Sequence, residues 1–147
     1  MKLSTRTRYG MRALLELALR QGKGPVFLKD IAREQEISLS YLEHLVAPLI
    51  AAGILRSTKG PRGGVSLARD PTGVKLGEII RVLEGSVAPV ECVNDPGVCL
   101  RSKSCVTRDV WAQLKEVMDG VLDAVTLQDL VEKHRQKGQH DPAMYYI

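Results

Sequence analysis

Three cysteines lie within 14 residues, as Cys92-x6-Cys99-x5-Cys105, and the chain has no others. Thiolates are soft ligands that favour zinc, copper(I) or iron–sulfur clusters. An odd number of clustered cysteines points to a metal more than to a disulfide framework. Zinc sites tend to use close C-x2–4-C pairs, whereas intervals of five and six residues suit a loop wrapped around a larger object. Redox-active thiols, or a trio with no shared role, are the other readings. A four-coordinate site also needs a fourth ligand. Asp109 lies one helical turn past Cys105, Glu91 and Asp95 flank Cys92 and its loop, and His44, His134 and His140 are the only histidines. A partner subunit or a small molecule could equally supply it.

A second group of residues suits a polyanion. Residues 1–75 carry 13 Lys/Arg against 6 Asp/Glu, and residues 76–147 carry 8 against 11. A basic half joined to a mildly acidic half implies a negatively charged partner for the first, unless that basic face is merely solvated. Double-stranded DNA fits the detail. A helix enters the major groove, where base edges differ in donors and acceptors, and its N-terminal residues project furthest. Ser38, Ser40, Tyr41, Glu43 and His44 open such a helix. Serine hydroxyls serve bases or phosphates, and Glu43 could accept from a cytosine amino group. Lys59 and Arg62 sit on a glycine-rich tip that could reach phosphates or a narrow minor groove. Lys2, Thr5, Arg6, Arg8 and Tyr9 suit the DNA backbone, and Leu28 at the start of the second helix completes the set of contact candidates. Duller roles compete at each position: Ser40 and Glu43 form the S-x-x-E pattern of a capping box, Tyr41 could be a half-buried core residue, and any tight hairpin needs its glycines.

These residues need elements to hold them. Met11, Leu14, Leu15, Ala18 and Leu19 recur at helical spacing, and Gly22, Gly24 and Pro25 end that helix. A short helix over 28–35 follows, then a third capped by Ser38 or Ser40, with Leu42, Leu45 and Val46 on its inner face. Pro48 lacks a backbone donor, which predicts a kink or restart there. Ile54–Ser57 and Val65–Leu67 flank Lys59-Gly60-Pro61-Arg62-Gly63-Gly64 and read as a β-hairpin. A helix over 76–83 ends at Gly85, and 86–105 has no periodicity. Trp111, Leu114, Met118, Val121 and Val125 then step by 3, 4, 3 and 4, a heptad seam suited to another helix. Leu127, Leu130 and Val131 mark one more helix, and the tail from Gln136 is polar before Met144-Tyr145-Tyr146-Ile147.

The expected fold is mainly α with a small β-hairpin, a winged helix-turn-helix plus a long dimerisation helix. The segments are 1–75 for DNA binding, 76–105 for a connecting helix and the cysteine loop, 106–135 for the dimerisation and C-terminal helices, and 136–147 for a flexible tail. With 147 residues, 44% apolar and only six aromatic, the core must be largely aliphatic. No apolar run approaches the roughly 20 residues of a membrane span, and Arg8, Arg12 and Glu16 interrupt anything like a signal peptide. A cytoplasmic protein with no membrane partner is expected. There is no Walker loop, no G-x-S-x-G and no carboxylate pair beside a histidine, so catalysis is not expected. A ferredoxin-like carrier would bring four cysteines and no basic helix-turn-helix.

Several motifs together carry a family resemblance: the opening MKLSTRTRYGMRAL, the stretch ISLSYLEHLVAPL, the wing KGPRGGVSLAR, GEIIRVLEG, the cysteine loop and TLQDL. Over about residues 1–133 the sequence resembles the iron–sulfur cluster (IscR-like) regulators of the bacterial Rrf2 family. The resemblance implies a homodimer whose long helix crosses its partner, with two winged helices reading a near-palindromic operator. It also implies an iron–sulfur cluster, [2Fe–2S] in type, held by Cys92, Cys99 and Cys105, whose presence or loss alters promoter choice, iron–sulfur assembly genes included. Arg108 stands where those regulators place a histidine, and Arg8 where a nitrite-sensing branch places an acidic residue, so neither fourth ligand carries over. The family's cysteine-metabolism repressor, which lacks the cysteines, is also similar. Its C-terminal isoleucine docks into cysteine synthase, and Tyr146-Ile147 resembles that end.

Overall fold

A computed structural model of the chain describes residues 2–139. Six helices and one two-stranded antiparallel hairpin follow in the order α1 (Thr5–Leu19), α2 (Leu28–Gln35), α3 (Leu39–Ala51), β1 (Leu55–Thr58), β2 (Gly64–Leu67), α4 (Leu76–Leu83), α5 (Val106–Asp123) and α6 (Leu127–Gln139). This is the expected winged helix-turn-helix with a long additional helix. No helix among the described residues is long and apolar enough to cross a membrane.

The reading head is built by short-range rules. Ser4 caps α1, accepting from the Thr7 N–H at 3.3 Å. The turn between α2 and α3 is closed by Glu36 in the left-handed region, at φ 57°, with the Ile37 N–H returning to the Ala32 carbonyl at 3.0 Å. Ser38 then caps α3. Pro48 does not restart the helix: α3 runs through it from Leu39 to Ala51. The carbonyl that loses its donor belongs to His44, an exposed residue where water can serve, while Leu45 and Leu49 on the inner face stay buried. The wing strands pair Leu55 with Leu67 through Thr58 with Gly64, and Val26 bridges Val65 as a third short contact.

Leu14, Leu17, Ile31, Leu42, Leu49 and Ile54 form the head's core, and it is aliphatic as expected. The core also takes residues from beyond position 75: Ile79 and Leu83 of α4, and Leu127 and Val131 of α6. Two backbone bonds stitch the chain shut beside them, Leu76 N–H to Val125 O at 2.9 Å and Leu127 N–H to Val74 O at 2.8 Å. Helix α6 therefore returns to pack on α1, and the segment between α4 and α6 is tied to the head at both ends. α6 continues through Gln139, four residues into the segment expected as tail; Tyr146 and Ile147 lie outside the described residues.

A polar clamp holds α1 to the end of α4. The Glu84 carboxylate accepts the Ser4 backbone N–H, the Ser4 hydroxyl at 2.6 Å and the Thr7 hydroxyl. The hydroxyl bonds of Ser4 and then Thr7 hold its pKa below the ordinary glutamate value, and the nearby Arg6 charge acts in the same direction.

Two outcomes follow from this packing. Leu127 is fully buried, so Leu127→Ala should lower the unfolding free energy by about 2–5 kcal/mol in urea titrations, as a head-core truncation would. A cost below about 0.5 kcal/mol, typical of a surface site, would show that α6 is not part of that core. A carboxylate whose folded pKa is depressed stabilises above its unfolded pKa and loses that contribution as pH falls through the folded value. The stability advantage of wild type over Glu84→Gln should therefore be full at neutral pH and shrink in the acid range. A difference that stays constant with pH would contradict the clamp.

Candidate nucleic-acid interface and cysteine loop

The start of α3 carries the residues expected to read bases. Ser38 is committed to capping, its hydroxyl accepting from the Tyr41 N–H at 3.1 Å. Ser40 and Glu43 do not form the capping box, because the cap lies two residues earlier, and both are left exposed with His44. Tyr41 is half-buried, its ring edge-on to Tyr9 of α1 at 6.3 Å between centroids and 84° between planes. The Arg12 guanidinium lies 5.2 Å from the Tyr9 ring centroid. This aromatic contact docks the first turns of α1 onto α3. Thr5, Arg6 and Arg8 are exposed on those turns, and Lys2 is exposed just before them. Leu28 is half-buried and packs against the head core.

The wing tip is shaped by glycine. Gly60 has φ 104°, and the Gly63 N–H returns to its carbonyl at 2.9 Å. A Cβ on Gly63 would collide with the Thr58 carbonyl, so the turn admits no side chain there. Lys59 and Arg62 are exposed at this tip. Five other cations are paired within the fold: Arg20 with Glu16 and Glu34, Arg33 with Asp30, Arg69 with Glu78, Arg81 with Asp123 and Lys115 with Asp119. Among the described residues Lys2, Arg6, Arg8, Lys59 and Arg62 take part in no such pair. Free cations at the helix start and wing are what phosphate contacts require.

The cysteine loop is irregular, with single 3-10 turns at Glu91–Val93 and Pro96–Val98. Cys92 and Cys105 are half-buried, Cys99 is exposed, and all three are free thiols. Arg108 ties the loop to α5, its Nε–H donating to the Cys92 carbonyl at 2.9 Å. Cys105 is the N-cap residue of α5, and its sulfur lies 3.2 Å from the Thr107 hydroxyl. That hydroxyl, then a backbone bond from Arg108, lowers the thiol's pKa. Among the described residues no three His, Cys, Asp or Glu side chains gather as a ligand set, so the structure does not bring the three cysteines together. Asp95 caps the Pro96–Val98 turn through Gly97 N–H at 3.0 Å, and Asp109 and Glu91 are exposed. The donor chemistry nonetheless suits a cluster. One loop holds three soft thiols, and in its midst the Ser102 hydroxyl is buried without a hydrogen-bond partner.

Helix α5 buries none of its residues. Val106, Val110, Val117 and Val121 form an exposed apolar stripe, with Trp111 also exposed, while Leu114 and Met118 are half-buried. Of the expected seam, Trp111 and Val121 are thus exposed, and Leu114 and Met118 partly covered. Beside it lies a cleft of about 460 Å³ between Leu3, the Glu84–Ala88 segment and α5. Sequence reading missed both the Glu84 clamp and the Arg108 tie. Each joins residues far apart in the chain, and only the paired hydroxyls of Ser4 and Thr7 hinted that something was held there.

Comparison with known proteins agrees with this architecture. Residues 3–133 match the Rrf2 family, described as an iron-dependent transcriptional regulator. The chain is 40% identical to the HTH-type transcriptional regulator CymR of Bacillus subtilis over 147 residues, 100% of both chains. It is 39% identical to the HTH-type transcriptional regulator IscR of Klebsiella pneumoniae over 131 residues, 89% of this chain and 80% of the relative. Among solved structures, T. potens IscR superposes with a TM-score of 0.79 at 40% identity, covering 99% of this chain and 97% of that one. The B. subtilis global cysteine regulator CymR gives 0.75 at 41%, covering 90% and 98%. An exposed groove-sized helix start, a basic glycine-shaped wing and a family match over nearly the whole fold agree: the chain belongs to the Rrf2 family of DNA-binding transcription regulators, and it is not an enzyme.

Proposed function

We propose that the protein is a dimeric regulator that reads a near-palindromic operator and senses iron–sulfur or redox status through a cluster held by Cys92, Cys99 and Cys105, controlling iron–sulfur assembly genes. The observation that carries the sensing half is three free thiols on one loop that is tied by Arg108 to α5. A [2Fe–2S] cluster would supply electron-accepting, oxidant-sensitive chemistry there. The chain's own residues do the rest. The loop must close to gather the thiolates, and Arg108 couples such closure to the position of α5. Glu84, at the loop's other end, couples it to the start of α1. Allostery is then the difference in DNA affinity between two loop states. The valine stripe on α5 supports a homodimer, since an apolar helix face without a partner in its own chain is suited to a second copy.

Anaerobic purification and reconstitution should give a coloured protein with bound iron and sulfide, and DNA affinity that differs between holo and apo forms. A colourless product, or unchanged colour after all three cysteines are replaced by alanine, would remove the cluster.

A second reading, a cysteine-metabolism repressor controlled by cysteine synthase, is favoured by full-length alignment with CymR, which includes the last residues. It assigns Tyr146 and Ile147 as the docking residues. Pull-down with cysteine synthase should then require Ile147, and binding absent from the full chain would remove it.

The two classes of DNA contact should separate by their salt response. Lys59→Ala or Arg62→Ala should weaken binding on all sequences and reduce the slope of log K against log salt by about 1. Glu43→Ala should instead change the ranking among operators. Equal losses on every sequence for both classes would contradict the division.

A further inference from the structure

Leu39 is the first residue of α3, and it is 42% exposed. The fold has no visible use for it. The inner face of α3 is made by Leu42, Leu45, Val46 and Leu49, and the partly buried residue preceding the cap that packs on the core is Ile37. Leu39 is not among the residues packed against that core. An isolated exposed leucine usually needs no explanation, but the position of this one is specific. On a helix, residues four apart share an edge, so Leu39 stands beside Glu43 and Ser40 beside His44. Tyr41 is turned to the other flank, against Tyr9. The exposed surface of the first two turns is therefore one polar patch with a single aliphatic member. That patch is the part of a recognition helix that meets base edges.

Leucine offers neither donor nor acceptor, so it cannot read the hydrogen-bonding pattern of any base. The major groove presents one apolar feature, the C5-methyl group of thymine. We infer that Leu39 is a specificity-determining residue that packs against a thymine methyl, beside the base edge taken by Glu43. The inference rests on α3 being the DNA-reading helix.

The test separates the two claims. Preferred sites are first selected from random-sequence duplexes with the wild-type full chain. Each thymine of the selected site is then replaced, one at a time, by deoxyuridine, which keeps the hydrogen-bonding groups and lacks only the methyl. Wild type should bind about fourfold more weakly at one thymine, once per half if the site is symmetric, as expected for losing one buried methyl-sized group. Leu39→Ala, which removes the contact from both protomers, should bind the parent site more weakly by about fourfold per half-site, keep the wild-type salt slope, and be indifferent to that same deoxyuridine. If no thymine responds, or if the variant responds as strongly as wild type, Leu39 does not read a methyl. If no sequence is enriched at all, the assignment of α3 as the reading helix falls as well.

Discussion

Burial of Leu127 and Val131 in the head core fixes the path of everything between α4 and α6. The chain leaves the head at Gly85, passes through the cysteine loop, and returns along α5, whose last residues meet the start of α4 so that α6 can cover α1. Backbone bonds between 74–76 and 125–127 close this excursion at its base. A segment anchored at both ends cannot change shape without pulling on its anchors. One anchor is Glu84, which holds Ser4 and Thr7 at the start of α1; the other is the stitch that seats α6. The loop that carries the thiols is thereby mechanically next to the residues that would meet DNA. Packing rather than proximity in sequence makes that connection.

Charge is divided along the same lines. The Arg81–Asp123 ion pair joins α4 to α5, and Gly77 makes room for Asp123 to approach α4, since a Cβ there would run into its carboxylate. Exposed pairs of this kind add little to stability individually, and their effect is geometric: they set how α5 leans on α4. The cations of the first α1 turns and of the wing have no such partners. Their clustering at the helix start and the wing tip, more than the modest net charge of +4, is what suits that surface to phosphates.

Much of this was legible in local pattern. Helices α1, α2 and α4, the hairpin with its basic tip, and the helix after the cysteines follow from apolar spacing, caps and glycine positions, because each is decided within a few residues. Ser38 as cap needs only its neighbours. Pro48 shows the limit of that logic: the local cost of a missing donor is real, but the buried face of α3 outweighs it. The α5 seam shows another. A heptad count finds an apolar helix, while which of its residues are covered depends on α4 and on the Glu84–Ala88 segment beside it.

The sequence by itself determined which chemistry is present: three thiols in one loop, a basic N-terminal half, a groove-sized helix with a polar, capped start. Tertiary structure alone decided how those parts are joined. Glu84 reaching across to Ser4 and Thr7, Arg108 reaching back to the Cys92 carbonyl, and α6 closing over α1 pair residues 16 to about 120 positions apart. No short-range rule predicts such pairs, because burial and hydrogen-bond satisfaction are properties of the assembled core and each half of a pair is unremarkable until the other arrives.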